Sequence, residues 1–248
     1  MNQPSPTAVR RLIFDYGGTL DTNGLHWAHV LWQAYQIVGI PVSEQQFREA
    51  YVFGERSLAK RPIITPEDNF HDLLVKKLTE ELSFLSEQGQ LPATAAALSD
   101  LARSVADVCY AHVKEVMVMT RQMLSAVSEV YRPVLVSNFY GNMHSVLRDF
   151  GILPYFSAVI ESAVCGVRKP DSEIFRLGVE AAGVPPEEVC VVGDSLSKDI
   201  VPAHSIGCKT MWLRGRGWDD EGLATCTGEP ADVVIDSIAQ VPEALSLL

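Results

Sequence analysis

The sequence predicts an α/β protein: a parallel sheet covered on both faces by helices, with a helical insertion after its first strand. Three observations predict it. A short apolar run stops on Asp15 and enters a glycine-rich turn, in the order Arg-Leu-Ile-Phe-Asp-Tyr-Gly-Gly-Thr-Leu-Asp over residues 11–21. After Asp21, about a hundred residues show helical periodicity and no strand pattern, far more than an ordinary loop. From Arg132 onward, strand-like and helical segments alternate. Alternating βα units imply a parallel sheet.

Each element follows from its residues. A strand ending on Asp15 places that carboxylate at the carboxyl edge of the sheet, where open α/β folds bind ligands. Gly17 and Gly18 let the backbone turn tightly and aim amide groups toward an anion. In the insertion, Trp27, Val30, Leu31, Ala34, Tyr35 and Val38 form one apolar helical face over 25–38. Ser43 with Gln46 reads as a capping box for a second helix. Pro66 opens a third, with Leu73, Leu74, Lys77, Leu78, Leu82 and Leu85 in near-helical register. The alanine-rich stretch 93–116 forms a fourth, broken or continuous. Residues 22–117 therefore read as an inserted helical bundle. Beyond it, strands are expected at 133–137, 158–161, 189–193, 209–213 and 232–235. Helices are expected around 144–150, 172–182 and 199–206, with Gly151 and Gly183 as C′ glycines. The Gly- and Trp-rich stretch 214–218 reads as a surface loop.

Bulk properties bound the function. A chain of 248 residues holds one large domain, or one domain with a substantial insertion. Its 47% hydrophobic and 21% charged residues are ordinary for a soluble globular protein. A formal charge of −11 argues against a nucleic-acid partner, because phosphate contacts need a surplus of Lys and Arg. The five cysteines, Cys109, Cys165, Cys190, Cys208 and Cys226, are scattered without a C-x-x-C pair, so neither a zinc site nor a disulfide framework is expected. The first eleven residues show no apolar signal-peptide region. No stretch reaches the roughly 20 apolar residues of a membrane span. The expectation is a cytoplasmic protein with no membrane partner.

Four segments at or just beyond strand ends carry chemistry. The first is Asp15 with its turn. The second is Val136-Ser137-Asn138, where a hydroxyl and an amide can both bond a phosphoryl oxygen, although Ser-Asn is also common turn chemistry. In the third, Arg168-Lys169-Pro170-Asp171, a lysine can neutralise phosphate charge and orient a carboxylate. Equally, basic residues before a proline are often solvated. The fourth is Val191-Val192-Gly193-Asp194-Ser195, with Asp199 beyond it. Two carboxylates near Asp15 make a hard oxygen site suited to Mg²⁺; the competing reading is a helix-capping Asp194 with Asp199 in the first turn.

In this order the four segments resemble the haloacid dehalogenase (HAD) superfamily of phosphotransfer enzymes, over the whole chain. The resemblance implies a Rossmann-like core at 1–21 and 118–248, with 22–117 as its helical cap. It implies a Mg²⁺-dependent hydrolase, a phosphatase of a small phosphorylated molecule, in which Asp15 is the nucleophile and forms an aspartyl-phosphate. Ser137, Asn138 and Lys169 would bind phosphate, with Lys169 also holding the nucleophile. Asp15, Asp194 and the carbonyl of Gly17 would ligate Mg²⁺, with Asp199 in or behind that shell. Such chemistry is mostly positioning and charge neutralisation.

The departure is Gly17. Family phosphatases usually carry an aspartate there, which protonates the leaving group and then activates water. General acid–base help is worth roughly 10²–10⁴ in rate. Branches with glycine at this position keep phosphatase activity, so Gly17 implies weaker turnover rather than none. Asp21 and His26 are the nearest substitutes, although Asp21 and Asn23 also read as turn residues and His29 as a helix residue beside an apolar face. Lys60, Arg61, Arg56 and Tyr51 are cap residues able to meet a substrate or to sit in solvent. Trp27 and Trp32 read as cap core. Two alternatives stay open. One is C–P or C–halogen hydrolysis, where family enzymes put alanine or tyrosine at the Gly17 position. Tyr16 is one place too early for the tyrosine. The C–P reaction needs a Schiff-base lysine, for which Lys60, Lys76, Lys77 and Lys114 are available. The other is a binding or regulatory member that has lost turnover.

Overall fold

The computed structural model describes residues 8–217 and 231–248. Six parallel strands form one sheet: β1 (Arg11–Phe14), β2 (Val134–Ser137), β3 (Ala158–Glu161), β4 (Val189–Gly193), β5 (Lys209–Leu213) and β6 (Val233–Ile235). Their order is β3-β2-β1-β4-β5-β6. Strand β1 lies between β2 and β4, with Phe14 opposite Leu135 on one side and Val192 on the other. The chain moves outward from β1 to β3, then returns to the far side of β1. That reversal opens a crevice at the carboxyl ends of β1 and β4, the place where such sheets take ligands.

Burial on both faces explains the unbroken apolar strands. Leu12 and Phe14 pack on one face with Leu135, Val192 and Met211. Ile13 faces the other way, with Val134, Val191 and Phe175. The second face is covered by α7 (Glu173–Ala182), whose Ile174 and Phe175 are fully buried. The first face is continuous with the core of the insertion.

The insertion is helical as expected: α1 (Trp27–Val38), α2 (Glu44–Lys60), α3 (Phe70–Glu87) and α4 (Ala95–Tyr131). The Ser43–Gln46 capping box forms. Pro66 does not open α3. A turn precedes the helix, with the Asp68 amide bonding the Thr65 carbonyl at 3.1 Å. The helix starts at Phe70, where Asn69 and Asp72 satisfy each other's backbone amides. Such a reciprocal cap neutralises two orphan donors, which proline cannot do.

Helix α4 also differs from expectation. It runs unbroken for 37 residues from the insertion to the edge of β2. The expected boundary at 117/118 therefore falls in mid-helix. No glycine or proline interrupts this stretch. Its buried stripe continues across the boundary through Val113, Met117, Thr120 and Leu124. At Thr120 the hydroxyl donates to the Leu20 carbonyl at 2.7 Å, tying the helix to the turn after β1.

The shorter elements are α5 (Met143–Asp149), α6 (Ser162–Cys165), α8 (Val201–Ser205) and α9 (Val241–Ala244). Gly151 and Gly183 follow helix ends with left-handed φ angles of 68° and 69°. The stretch 214–217 is not a free surface loop. The Arg216 amide donates to the Gly24 carbonyl at 2.8 Å, and the His26 amide to the Arg216 carbonyl at 3.0 Å. Two backbones meet here because both contributors are glycine: a Cβ on Gly215 would lie 1.8 Å from the Gly24 oxygen. Trp218 and Cys226 lie outside the described residues. Cys109, Cys165, Cys190 and Cys208 are free thiols. Among the described residues no helix is long and apolar enough to cross a membrane.

Candidate active site

Asp15 leaves β1 with its amide donating to the Val192 carbonyl at 3.0 Å, which fixes it at the crevice between β1 and β4. Its side chain is almost wholly buried. Lys169 reaches it from the loop before α7: Nζ donates to Asp15 Oδ1 at 2.6 Å and to Asp199 Oδ1 at 2.7 Å. Asp199 sits in a π-helical turn, Leu196–Ile200, and its Oδ2 accepts from the Ser195 amide at 3.1 Å. Ser195, not Asp194, caps that turn, by accepting from the Lys198 amide. Asp194 is thereby left to face Asp15.

Thr19 joins the two carboxylates. Its hydroxyl lies 3.1 Å from both Asp15 Oδ2 and Asp194 Oδ1, and it accepts from the Asp194 amide at 3.0 Å. Gly18 makes room for the approach. It has a φ of +96°, and a Cβ there would lie 2.4 Å from Asp194 Oδ2. At Asp194 the carbonyl accepts from the Trp212 indole at 2.9 Å. Neither Thr19 nor Trp212 was expected from the sequence.

Carboxyl oxygens of Asp15, Asp194 and Asp199 lie within 4.8 Å of one another. Burial pushes the Asp15 carboxyl up to about 6; Lys169 opposes that push and Asp199 adds to it. Burial, then Asp15 and Asp199, push Asp194 well above the usual carboxylate range. Burial disfavours the Lys169 charge, yet Asp15 and Asp199 hold its pKa above the ordinary value. Three carboxylates thus cluster around one ammonium, which pairs directly with Asp15 and Asp199. This acidic donor set fits a hard divalent cation such as Mg²⁺.

Ser137 ends β2 buried and lines the same cavity. Asn138 lines the cavity too and has a second, structural task. Its side-chain oxygen accepts from the Lys169 amide at 2.9 Å, and its nitrogen donates to the Lys169 carbonyl at 3.1 Å. Both ends of the amide thus hold the lysine backbone, which makes Asn138 a positioning residue.

Asp21 is fully buried, with Oδ1 accepting from the Gly18 amide at 2.7 Å and Oδ2 from the Trp27 indole at 2.8 Å. It organises the turn after β1, and burial pushes its carboxyl up to about 7. His26 caps α1, its Nδ1 accepting from the Ala28 amide at 3.1 Å. It lines the cavity, and burial lowers its pKa to about 4.

The cavity above Asp15 has a volume of about 900 Å³. Tyr51 and Trp27 line it; Arg56, Lys60, Arg61 and Trp32 are not among its described lining residues. Trp32 packs on Phe47 inside the helical insertion, with ring centroids 5.3 Å apart. Of Lys60, Lys76, Lys77 and Lys114 in the insertion, Lys77 is among the described lining residues.

A family profile for haloacid dehalogenase-like hydrolases matches residues 9–207. The chain belongs to this family. The hydrolase is 32% identical over 111 residues to haloacid dehalogenase-like hydrolase domain-containing protein 3 of Danio rerio, covering 45% of this chain and 44% of that protein. It is 37% identical over 91 residues to a glyceraldehyde 3-phosphate phosphatase of Pyrococcus furiosus, 37% of each chain. These matches span less than half the length of either curated relative. The HAD hydrolase YfnB of Bacillus subtilis, solved bound to magnesium, superposes with a TM-score of 0.57 at 19% identity. That superposition covers 96% of this hydrolase and 99% of YfnB.

Proposed function

We propose that this hydrolase is a Mg²⁺-dependent phosphatase of a small phosphorylated metabolite, acting through an aspartyl-phosphate on Asp15. The observation that carries the reading is the grip of Lys169 on Asp15 at 2.6 Å, on the floor of a cavity at the switch point of the sheet. A phosphatase of known substrate among the partial relatives supports the same chemistry. We propose 22–117 as the cap that walls this cavity, although α4 joins it to the core without a break. The free thiols at the four described cysteines are in keeping with a reducing compartment such as the cytoplasm.

In the first step a carboxylate oxygen of Asp15 attacks phosphorus, and the bond from phosphorus to the leaving-group oxygen breaks. Lys169 and the Ser137 hydroxyl hold phosphoryl oxygens and offset their charge. Thr19 and Asn138 keep the nucleophile and the lysine in place. Water then attacks the aspartyl-phosphate, which releases inorganic phosphate and restores Asp15. Asp15, Asp194 and the Gly17 carbonyl would hold Mg²⁺, with Asp199 in or near the shell; bound there, the ion neutralises charge on the transferring group. Gly17 can transfer no proton, and both oxygens of Asp21 are engaged. Proton transfer to the leaving group therefore falls to water.

Other chemistries fit less well. Tyr16 is buried against Phe70 and Phe139, so it does not stand in for a dehalogenase tyrosine. Lys77 is held protonated by its carboxylate neighbours, the wrong state for Schiff-base attack. The decisive experiment is hydrolysis of a panel of phosphate esters with and without Mg²⁺, beside trapping of labelled phosphate. Asp15→Asn should lose at least about a thousandfold in turnover while keeping its fold by circular dichroism. Full activity in that variant would move the chemistry elsewhere.

A further inference from the structure

The wall of the cavity opposite Asp15 is formed by the cap. Leu58, Ile64, Leu73 and Leu74 make it largely apolar. Against them stands one polar cluster. Glu55 of α2 pairs through Oε1 with Lys77 of α3, and its Oε2 accepts from the Tyr140 hydroxyl at 3.1 Å. Tyr140 comes from the core loop that follows Ser137 and also carries Asn138. Lys77 Nζ lies 4.4 Å above the centre of the Tyr51 ring.

The two charges of this pair are not equally reachable. The Lys77 side chain is 6% exposed, whereas Glu55 keeps 38%. A ligand in the cavity therefore meets the carboxylate, with the ammonium behind it as counterion. Burial opposes the charge on Glu55, yet Lys77 and Tyr140 hold its pKa below the usual value. A carboxylate offers about four lone-pair sites, and Lys77 and Tyr140 take two. Of the other lining cations, Arg168 precedes Lys169 in the loop before α7, and Lys198 stands in the π-helical turn next to Asp199.

Resting on the phosphatase reading above, we infer that Glu55 is the receptor for the leaving group. It selects esters whose alcohol is uncharged and carries further hydroxyls, of the sugar, polyol or nucleoside kind, over esters whose alcohol carries a carboxylate. Hydroxyls can donate to the open sites of Glu55. A second carboxylate would meet like charge there, and Lys77, the lining cation closest to Glu55 among the described residues, is already paired with it. An ammonium gains little, because Lys77 already balances Glu55. A cavity of about 900 Å³ has room for an alcohol as large as a nucleoside.

The test compares primary alkyl esters of similar leaving tendency: glycerol 3-phosphate, ribose 5-phosphate, uridine 5′-monophosphate, phosphoglycolate, phosphoserine and phosphoethanolamine. Two readouts run in parallel: kcat/KM in the parent enzyme, and calorimetric affinity for Asp15→Asn with and without Mg²⁺. The best hydroxylated ester should exceed the best carboxylated one by about 10–100-fold, the range of one or two hydrogen bonds to a charged group. Ribose 5-phosphate against uridine 5′-monophosphate separates a sugar from a nucleoside. Glu55→Gln should invert the preference, since Lys77 is then uncompensated. If that variant does not fold, Glu55→Gln/Lys77→Met leaves neither charge buried alone and should bring the ratio close to one. A carboxylated ester or phosphoethanolamine ranking first would overturn the inference, as would a ratio unchanged in the folded double variant. No turnover, no binding and no labelled Asp15 with any ester would instead sink the phosphatase reading, and this inference with it.

Discussion

The floor and the roof of the cavity are each built around a buried lysine, and they balance its charge differently. On the floor, Lys169 is gripped by Asp15 at 2.6 Å and Asp199 at 2.7 Å, with Asp194 beside them. Three carboxylates against one ammonium leave a formal −2 when all are ionised. On the roof, Lys77 pairs closely with Glu55, while Glu81 stands 4.0 Å away with its carboxyl pushed up to about 7 by burial. With Glu81 protonated the roof balances, one carboxylate against one ammonium; with Glu81 ionised it carries −1, still less than the −2 of the floor. The floor could hold a further cation, whereas the roof comes closer to balance by itself. Buried carboxylates thus carry different meanings, decided by how many share each counter-charge.

The largest effect that separates the two regions comes from Asp194→Ala. It removes a carboxylate from the floor and leaves the roof untouched. Metal-dependent turnover should fall by at least about a thousandfold. The parent should also melt at a higher temperature when Mg²⁺ is added, since a ligand of the folded state stabilises it. That increment should vanish in the variant. Unchanged turnover would remove the metal assignment.

The two regions also differ in how legible they were. Each floor group sits inside a short motif, at a strand end for Asp15, Ser137 and Asp194 and in the loop before α7 for Lys169, so all four could be picked out and ordered from the sequence. Even there, the clamp that Asn138 makes on the Lys169 backbone could not be read, because a side-chain amide that binds phosphate and one that holds a backbone look the same in sequence. Thr19 lies inside the first motif, but a turn hydroxyl gives no signal until two carboxylates are known to flank it. On the roof, Glu55 and Lys77 come from different helices, 22 residues apart, and no motif spans them. The available hint was a lysine in the apolar register of α3, between Leu74 and Leu78. A charge at a core position calls for a partner, but periodicity does not say which residue on another helix provides it. The sheet was legible to within a residue at most strand ends, since strand and turn chemistry are local. The continuity of α4 depended on the absence of any breaker across the expected boundary.

A smaller effect sharpens the chemistry of the floor. A Cβ built on Gly17 meets nothing within 4 Å, so the position has room for a side chain. The parent should favour acyl, aryl or anomeric sugar phosphates over simple alkyl phosphates, and should show a burst of product as the aspartyl-phosphate accumulates. Gly17→Asp should speed alkyl esters by about 10–100-fold more than esters with good leaving groups, within the range of general acid–base help. Mg²⁺ binding must be measured alongside, because the variant adds a carboxylate to an acidic floor. If a folded, metal-binding variant is slower on every ester, and the parent shows neither burst nor leaving-group dependence, another residue already moves the proton. His26 is then the first to replace, since Asp21 is locked by Gly18 and Trp27.

The least effect on turnover, and the clearest test of the roof, comes from Glu81. Its side chain is fully buried, and Oε2 accepts from the Tyr35 hydroxyl at 3.1 Å. Burial raises its pKa from 4.5 to about 7, with Lys77 opposing the rise. The sign follows from proton counts. Between pH 4.5 and 7 the unfolded chain has released this proton and the folded chain retains it. The folded state binds more protons, so stability falls as pH rises through this window and levels off above it. Each pKa unit is worth 1.36 kcal/mol, so the full span costs up to about 3 kcal/mol. Glu81→Gln keeps an acceptor for Tyr35 and has no proton to lose. Denaturant unfolding at pH 4.5 and pH 8 should therefore show the variant gaining on the parent by up to about 3 kcal/mol at the higher pH. An equal difference at both pH values would mean that Glu81 is ionised in the folded protein. Lys77 would then be shared by two carboxylates, as Lys169 is, and the contrast between roof and floor would narrow.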